Sequence, residues 1–86
     1  MPIPSLTLGA GKMLATQTAS MDGIEIQTEG YLFGIIDSIY DAADNLVAGD
    51  TFLFKESDAI MLKYGSTIYY FLDVQNIQGI VLPFAP

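Results

Sequence analysis

The stretch that decides the fold is residues 46–54, LVAGDTFLF, which places a Gly-Asp pair between two apolar runs. Glycine adopts backbone angles that residues with a side chain resist, and an aspartate at a turn can bond the backbone amides that follow it. Gly49 and Asp50 therefore predict a sharp turn that fixes the register of the next strand. In that strand Phe52 and Phe54 fall on one face, which is typical of a strand with a buried side.

Short segments with the composition of strands recur along the rest of the chain. The pattern predicts strands at residues 12–19, 24–28, 31–36, 51–55, 59–64, 67–73 and 76–82. Asp22 and Gly23 form a turn signal that predicts a hairpin between the first two of these strands, and Gly65 begins a tight turn later in the chain. Gly34 predicts a bulge or a sharp bend. The segment 37–50 is compatible with one helical turn or with a long polar loop.

Many short strands at regular spacing, each bounded by turn residues, predict an all-β fold. We expect a small closed or partly open β-barrel with an extended N-terminal arm. The arm would span residues 1–11, which hold two prolines and two glycines, the barrel domain residues 12–82, and a tail residues 83–86.

The composition indicates a chain that is built to contact other proteins. Of the 86 residues 51% are hydrophobic and 15% are charged, which is apolar for a small monomer. The chain has no cysteine and no histidine, so disulfides, thiolate-bound metals and the commonest general base are excluded. We therefore expect self-association, incorporation into a large protein assembly, or both.

The charge balance argues against two other classes of partner. Three lysines, no arginine and ten acidic residues give a formal net charge of −7, whereas nucleic acids and anionic membranes require a cationic footprint. The first residues lack the features of a signal peptide, and no apolar run approaches the ~20 residues of a membrane span. The expected location is the cytoplasm or a virion.

No motif in the chain indicates catalysis, so we expect no enzyme, no cofactor and no metal. Residues 9–12, GAGK, lack the spacing of a phosphate-binding loop. The acidic residues Asp37, Asp41, Asp44 and Asp50 miss the spacing of a calcium loop and are interpreted as a solvated rim. A barrel of this size is also expected to lack a ligand cleft of ~300 Å³ or more.

Two segments resemble the small co-chaperonin family, whose GroES-like barrels assemble into rings. Residues 47–54, VAGDTFLF, are similar to the family's segment in which an apolar residue, Gly and Asp precede an apolar and aromatic strand. Residues 64–81, YGSTIYYFLDVQNIQGIV, resemble the family's C-terminal pattern. The resemblance covers roughly residues 30–81 and implies the barrel fold.

The departures from the family concern its activity. Co-chaperonins grip the chaperonin with a long flexible loop that ends in an apolar triplet, but the corresponding segment 20–30, SMDGIEIQTEG, is short and carries Glu25 within its apolar part. The roof hairpin, expected at residues 40–45, is also abbreviated. The resemblance therefore implies the fold more strongly than it implies chaperonin binding.

The expected function is that of a non-enzymatic structural or interaction module, a GroES-like barrel subunit docked in a larger symmetric assembly such as a viral capsid or a virion decoration. The alternative is a co-chaperonin that caps a chaperonin ring, with Ile24 and Ile26 as its gripping residues. The predicted partner-binding residues are Ile3, Leu6, Leu8, Ile24, Ile26, Leu82 and Phe84, and the predicted structural turn residues are Gly49, Asp50 and Gly65.

Overall fold

The computed structural model describes residues 6–18, 23–40 and 46–81. In these residues the chain forms strands and two short 3-10 helices, Glu56–Asp58 and Val74–Asn76. The strands are β1 (Lys12–Thr18), β2 (Tyr31–Ile39), β3 (Thr51–Lys55), β4 (Ile60–Tyr64), β5 (Thr67–Asp73) and β6 (Ile77–Val81). The predicted all-β class is confirmed.

The strands form one antiparallel sheet of six strands in the order β4-β5-β1-β2-β3-β6. Of the two forms that the sequence left open, this sheet is not closed into a barrel: β4 and β6 lie at its two edges. Residues 6–9, in the expected arm, have no regular secondary structure, and residues 1–5 lie outside the described part.

The predicted hairpin between residues 12–19 and 24–28 is wrong. Strand β1 lies inside the sheet and pairs with β2 on one side and β5 on the other, so that Ala15 is opposite both Ile36 and Tyr70. In the segment 24–28 only Ile24 forms an isolated bridge. The neighbours of β1 are β2, of nine residues, and β5, of seven residues. Both are longer than the segment 24–28, so they offer β1 more ladder hydrogen bonds and more buried surface.

Strand β2 continues beyond its predicted end, so neither interpretation of the segment 37–50 describes its first residues. The ladder between β1 and β2 shifts register at this point: Leu14 is opposite Ser38, whereas Ala15 is opposite Ile36, which leaves Asp37 as the extra residue of a bulge. The prediction of a helical turn fails where β2 extends to Ile39. Residues 41–45 lie outside the described part of the chain.

Gly34 permits close packing, and the bulge predicted at this position is found three residues later. A Cβ atom at Gly34 would lie 3.0 Å from Cζ of Phe52 and 3.1 Å from Cε1 of Phe54. These distances are shorter than ordinary carbon contacts of about 3.5–4.0 Å. The missing side chain of Gly34 is therefore the space that the two phenyl rings occupy.

The core cluster lies on one face of the sheet and is built around aromatic rings. The ring centroids of Phe52 and Phe54 are 5.2 Å apart, and those of Phe54 and Tyr70 are 5.3 Å apart, both in tilted arrangements that aromatic pairs favour. The buried core residues are Met13, Ala15, Ile36, Leu46, Phe52, Phe54, Tyr70 and Leu72. Each large side chain contributes about 1.5–3 kcal/mol on burial.

The Gly-Asp turn connects β2 to β3 as a structural element. Gly49 has φ of 99°, a conformation that favours glycine, and its N–H donates to the carbonyl of Ile36 at 2.8 Å. The carboxylate of Asp50 accepts a hydrogen bond from the N–H of Val47 at 3.1 Å. The sequence predicted bonds to the amides that follow Asp50, but the amide bound lies three residues before it, so the aspartate closes the turn from its far end.

Candidate interaction surface

Half of the large apolar side chains that are exposed in the described residues lie on the hairpin of β4 and β5. We call these four the hairpin surface: Ile60 (60% exposed), Met61 (54%), Tyr64 (47%) and Ile68 (44%). Ile60 and Tyr64 lie on one face of the hairpin, and Met61 and Ile68 lie on the other, so apolar side chains are exposed on both faces beside the outer edge of β4. The hairpin surface is therefore suited to contact another protein.

The hairpin surface includes an edge of the sheet, β4, where backbone N–H and C=O groups are directed away from the described strands. Among the described residues β4 pairs with β5 alone, so one row of its backbone groups is not used by the sheet. Proteins protect such edges with proline, charge, bulges or a covering segment. Strand β4 has no proline, its pairing with β5 has no register shift, and Lys63 is its one charged residue. It can accept another strand.

The hairpin turn fixes the geometry of this edge. Tyr64 and Thr67 are the last paired residues, which leaves Gly65 and Ser66 as a two-residue loop. Gly65 has φ of 63°, as the tight loops of twisted hairpins require. The hairpin therefore has one defined register, in which Ile60 is opposite Phe71 and Leu62 opposite Tyr69.

Acidic groups flank the apolar edge. Glu56 and Asp58 lie in the 3-10 helix immediately before β4, and both are exposed. The edge thus presents an apolar middle, an acidic start and a lysine near its end.

Glu56 also acts on a buried tyrosine of the core. Burial raises the pKa of the Tyr70 phenol above its ordinary value, and the negative charge of Glu56 raises it further. The Tyr70 hydroxyl donates a hydrogen bond to Oε1 of Gln17 at 3.4 Å.

A second candidate site is an open groove of about 540 Å³ between the segment 24–28 and strands β2, β3 and β6. The expectation that this small fold lacks a cleft of ~300 Å³ is therefore wrong, because the sheet is open and the segment 24–28 forms a wall beside it. The groove is lined by Ile24, Glu25, Ile26, Gln27, Thr28, Tyr31, Phe33, Leu53, Gly79, Ile80 and Val81. Its lining is mainly apolar, which suits apolar side chains of a partner.

The residues that the sequence predicted for partner binding are only partly brought together. Ile24 and Ile26 both line the groove, with Ile24 48% exposed and Ile26 half-buried. Leu6 and Leu8 are half-buried outside any strand. Ile3, Leu82 and Phe84 lie outside the described residues.

Sequence reasoning missed the hairpin surface. The alternation in residues 59–64 predicted a strand but gave no sign of its position in the sheet. The only available signal was that Ile60 and Met61 are adjacent and point to opposite faces, so that one of them has to lie outside a single core.

Three further findings bear on predictions made from the sequence. In residues 6–18, 23–40 and 46–81 no cluster of three or more acidic, histidine or cysteine side chains could hold a metal ion. The same part of the chain contains no helix whose length and hydrophobicity would let it cross a membrane. Of the four aspartates interpreted as an acidic rim, Asp37 and Asp50 are described, and Asp50 is engaged in the turn.

Comparison with known proteins gives no family for this chain. No protein-family model matches it, and no curated protein matches it. The resemblance to the small co-chaperonins therefore stays a prediction from the residues quoted above.

Proposed function

We propose that this protein is a non-enzymatic structural subunit that is built into a larger symmetric protein assembly. The observation that carries the proposal is the hairpin surface, in which Ile60, Met61, Tyr64 and Ile68 are 44–60% exposed beside a sheet edge with which no other described strand pairs. Burying apolar area contributes about 25 cal/mol per Å², so a contact that covers these side chains is favourable.

The net charge of the chain opposes self-association only weakly. A net charge of −7 makes copies of the subunit repel one another. At physiological ionic strength that repulsion is screened beyond about 8 Å, whereas apolar contact acts at the surface itself. Copies of the same chain in an assembly are usually related by closed symmetry, which fixes how many contacts each subunit makes.

The test is the solution mass of the purified chain, measured by light scattering between about 1 and 100 µM. We expect a mass above the 9.3 kDa of one chain, rising with concentration. Ile60→Lys and Ile68→Lys should return the mass toward that of one chain. Val47→Lys is the matched control, because Val47 is similarly exposed at 54% but lies in the turn before β3.

A mass of 9.3 kDa throughout this range would contradict the proposal. So would an assembly that both Ile60→Lys and Ile68→Lys leave intact, because the hairpin surface would then not contribute to it.

A specific observation also favours the alternative function, a co-chaperonin. The structure leaves Ile24 48% exposed in a segment without a regular strand, which is the condition for a gripping residue. Capture of the chain by a chaperonin ring in the presence of ATP, abolished by Ile24→Asp and unaffected by Ile60→Lys, would support this function. Absence of capture would remove it.

A further inference from the structure

We propose that the partner of β4 is β4 of a second copy of this chain, paired antiparallel around a two-fold axis at Met61. The two six-stranded sheets would then form one continuous sheet across the axis. This inference rests on the proposed function and goes beyond it by naming the partner, the strand and the register.

The hairpin register shows which backbone groups are directed outward. In a two-residue hairpin the pair that flanks the loop is hydrogen-bonded, and bonded and non-bonded pairs then alternate along the ladder. Tyr64, Leu62 and Ile60 therefore use their backbone groups on β5. Met61 and Lys63 direct their N–H and C=O groups to the open edge, so they are the residues that a new strand would bond.

Two registers of self-pairing use these outward groups. In the first, the axis passes through Met61, and Lys63 is opposite Ala59 of the second copy. In the second, the axis passes through Leu62, and Lys63 is opposite Met61 of the second copy. The N–H of Ala59 already donates to the carbonyl of Glu56 at 3.1 Å. Each register therefore forms four backbone hydrogen bonds, and the backbone alone does not choose between them.

The charges choose the first register. With the axis at Leu62, the two Lys63 side chains lie diagonally across the same face, about 7–8 Å apart at their backbones, where like charges repel. With the axis at Met61, each Lys63 lies opposite Ala59, directly beside Asp58 and close to Glu56 of the second copy. The acidic start of each strand thus meets the basic end of the other.

The apolar side chains agree with this register. On one face Ile60 is opposite Leu62 of the second copy, and the reverse contact follows from the symmetry. On the other face the two Met61 side chains meet on the axis. The two most exposed residues of the hairpin surface, Ile60 and Met61, are therefore the ones that this pairing covers. A two-fold contact requires a surface that complements itself, and β4 has an apolar centre with opposite charges at its ends.

The first experiment measures the register by disulfide formation, for which the chain is suited because it has no cysteine of its own. Met61→Cys places two thiols on the axis, with Cα atoms about 5.5 Å apart, within the range for a disulfide. We expect mild oxidation to convert most of this variant to a covalent dimer. Leu62→Cys and Ile68→Cys are controls, which should cross-link at least tenfold more slowly.

The second experiment reverses the charges. Lys63→Glu and Asp58→Lys should each weaken dimerisation about tenfold. Each change places like charges at both of the symmetry-related contacts between position 63 of one copy and position 58 of the other. The double variant should recover most of the wild-type affinity. Sedimentation in 0.15 M salt gives the dissociation constants, and circular dichroism checks that each variant folds.

The outcomes separate this inference from the proposed function. Fast cross-linking through Leu62→Cys but not Met61→Cys would overturn the register. An assembly that neither cross-links through Met61→Cys nor responds to charge reversal would overturn the β4 pairing, while the structural role would stand. A wild-type chain that remains a single subunit at 100 µM would overturn both.

Discussion

The centre of the sheet and its β4 edge are built from the same kinds of residue but differ in how far their side chains are buried. Strand β3 buries Phe52 and Phe54 completely, whereas β4, with a similar alternation, leaves Ile60 60% exposed. The difference is position: β3 has neighbours on both sides, and β4 has only β5 in the described sheet. Apolar alternation therefore specifies a strand, and the number of its neighbours decides whether its side chains serve the core or a contact.

The largest expected effect separates the two regions by stability. Phe54→Ala should lower the free energy of unfolding by about 3–5 kcal/mol, because it removes a fully buried ring that contacts Phe52 and Tyr70. Ile60→Ala, at the edge, should change it by less than about 0.5 kcal/mol. Urea unfolding of dilute protein, where self-association is negligible, measures both. Equal losses would mean that the edge belongs to the core.

The next effect tests how tightly the centre is packed. Gly34→Ala should destabilise the fold by about 1–3 kcal/mol, because its Cβ would lie 3.0 Å from the Phe52 ring. Gly79→Ala is the matched control on β6, since a Cβ there meets nothing within 4 Å and its φ is not positive. The same unfolding measurement compares them. If the two substitutions cost the same, the rings can move aside and the centre is not close-packed at Gly34.

These two regions also show how far the sequence could be read. The strand at residues 51–55 and the tight turn at Gly65 follow from local alternation and turn chemistry, and the structure has both. The pairing of β1 with β5 does not follow, because it joins segments more than fifty residues apart and depends on which neighbour buries more surface. An edge is a property of the whole sheet. Local sequence patterns therefore do not indicate the hairpin surface.

A smaller effect is a pH dependence that originates in the centre. Burial and the charge of Glu56 raise the pKa of Tyr70 above its ordinary value of 10.0. The folded state therefore holds the phenolic proton more tightly than the unfolded state, so this contribution is complete below pH 10 and is lost as pH rises through the raised pKa. We expect the unfolding free energy of the wild type to fall more steeply above that pH than that of Tyr70→Phe. Parallel curves would show that the phenol does not contribute.

The smallest expected effect concerns an ion pair at the start of β1, where the sheet is already held by backbone bonds. Lys12 pairs with Asp73 across the ladder of β1 and β5, but the two side chains are 36% and 42% exposed. Exposed pairs contribute about 0–1 kcal/mol, since water screens them and both side chains lose freedom. Lys12→Met should therefore lower the unfolding free energy by no more than that, with the difference vanishing in 1 M salt. A loss comparable to that of Gly34→Ala would place the pair among the core contacts, and the contrast between centre and periphery would no longer hold at this end of the sheet.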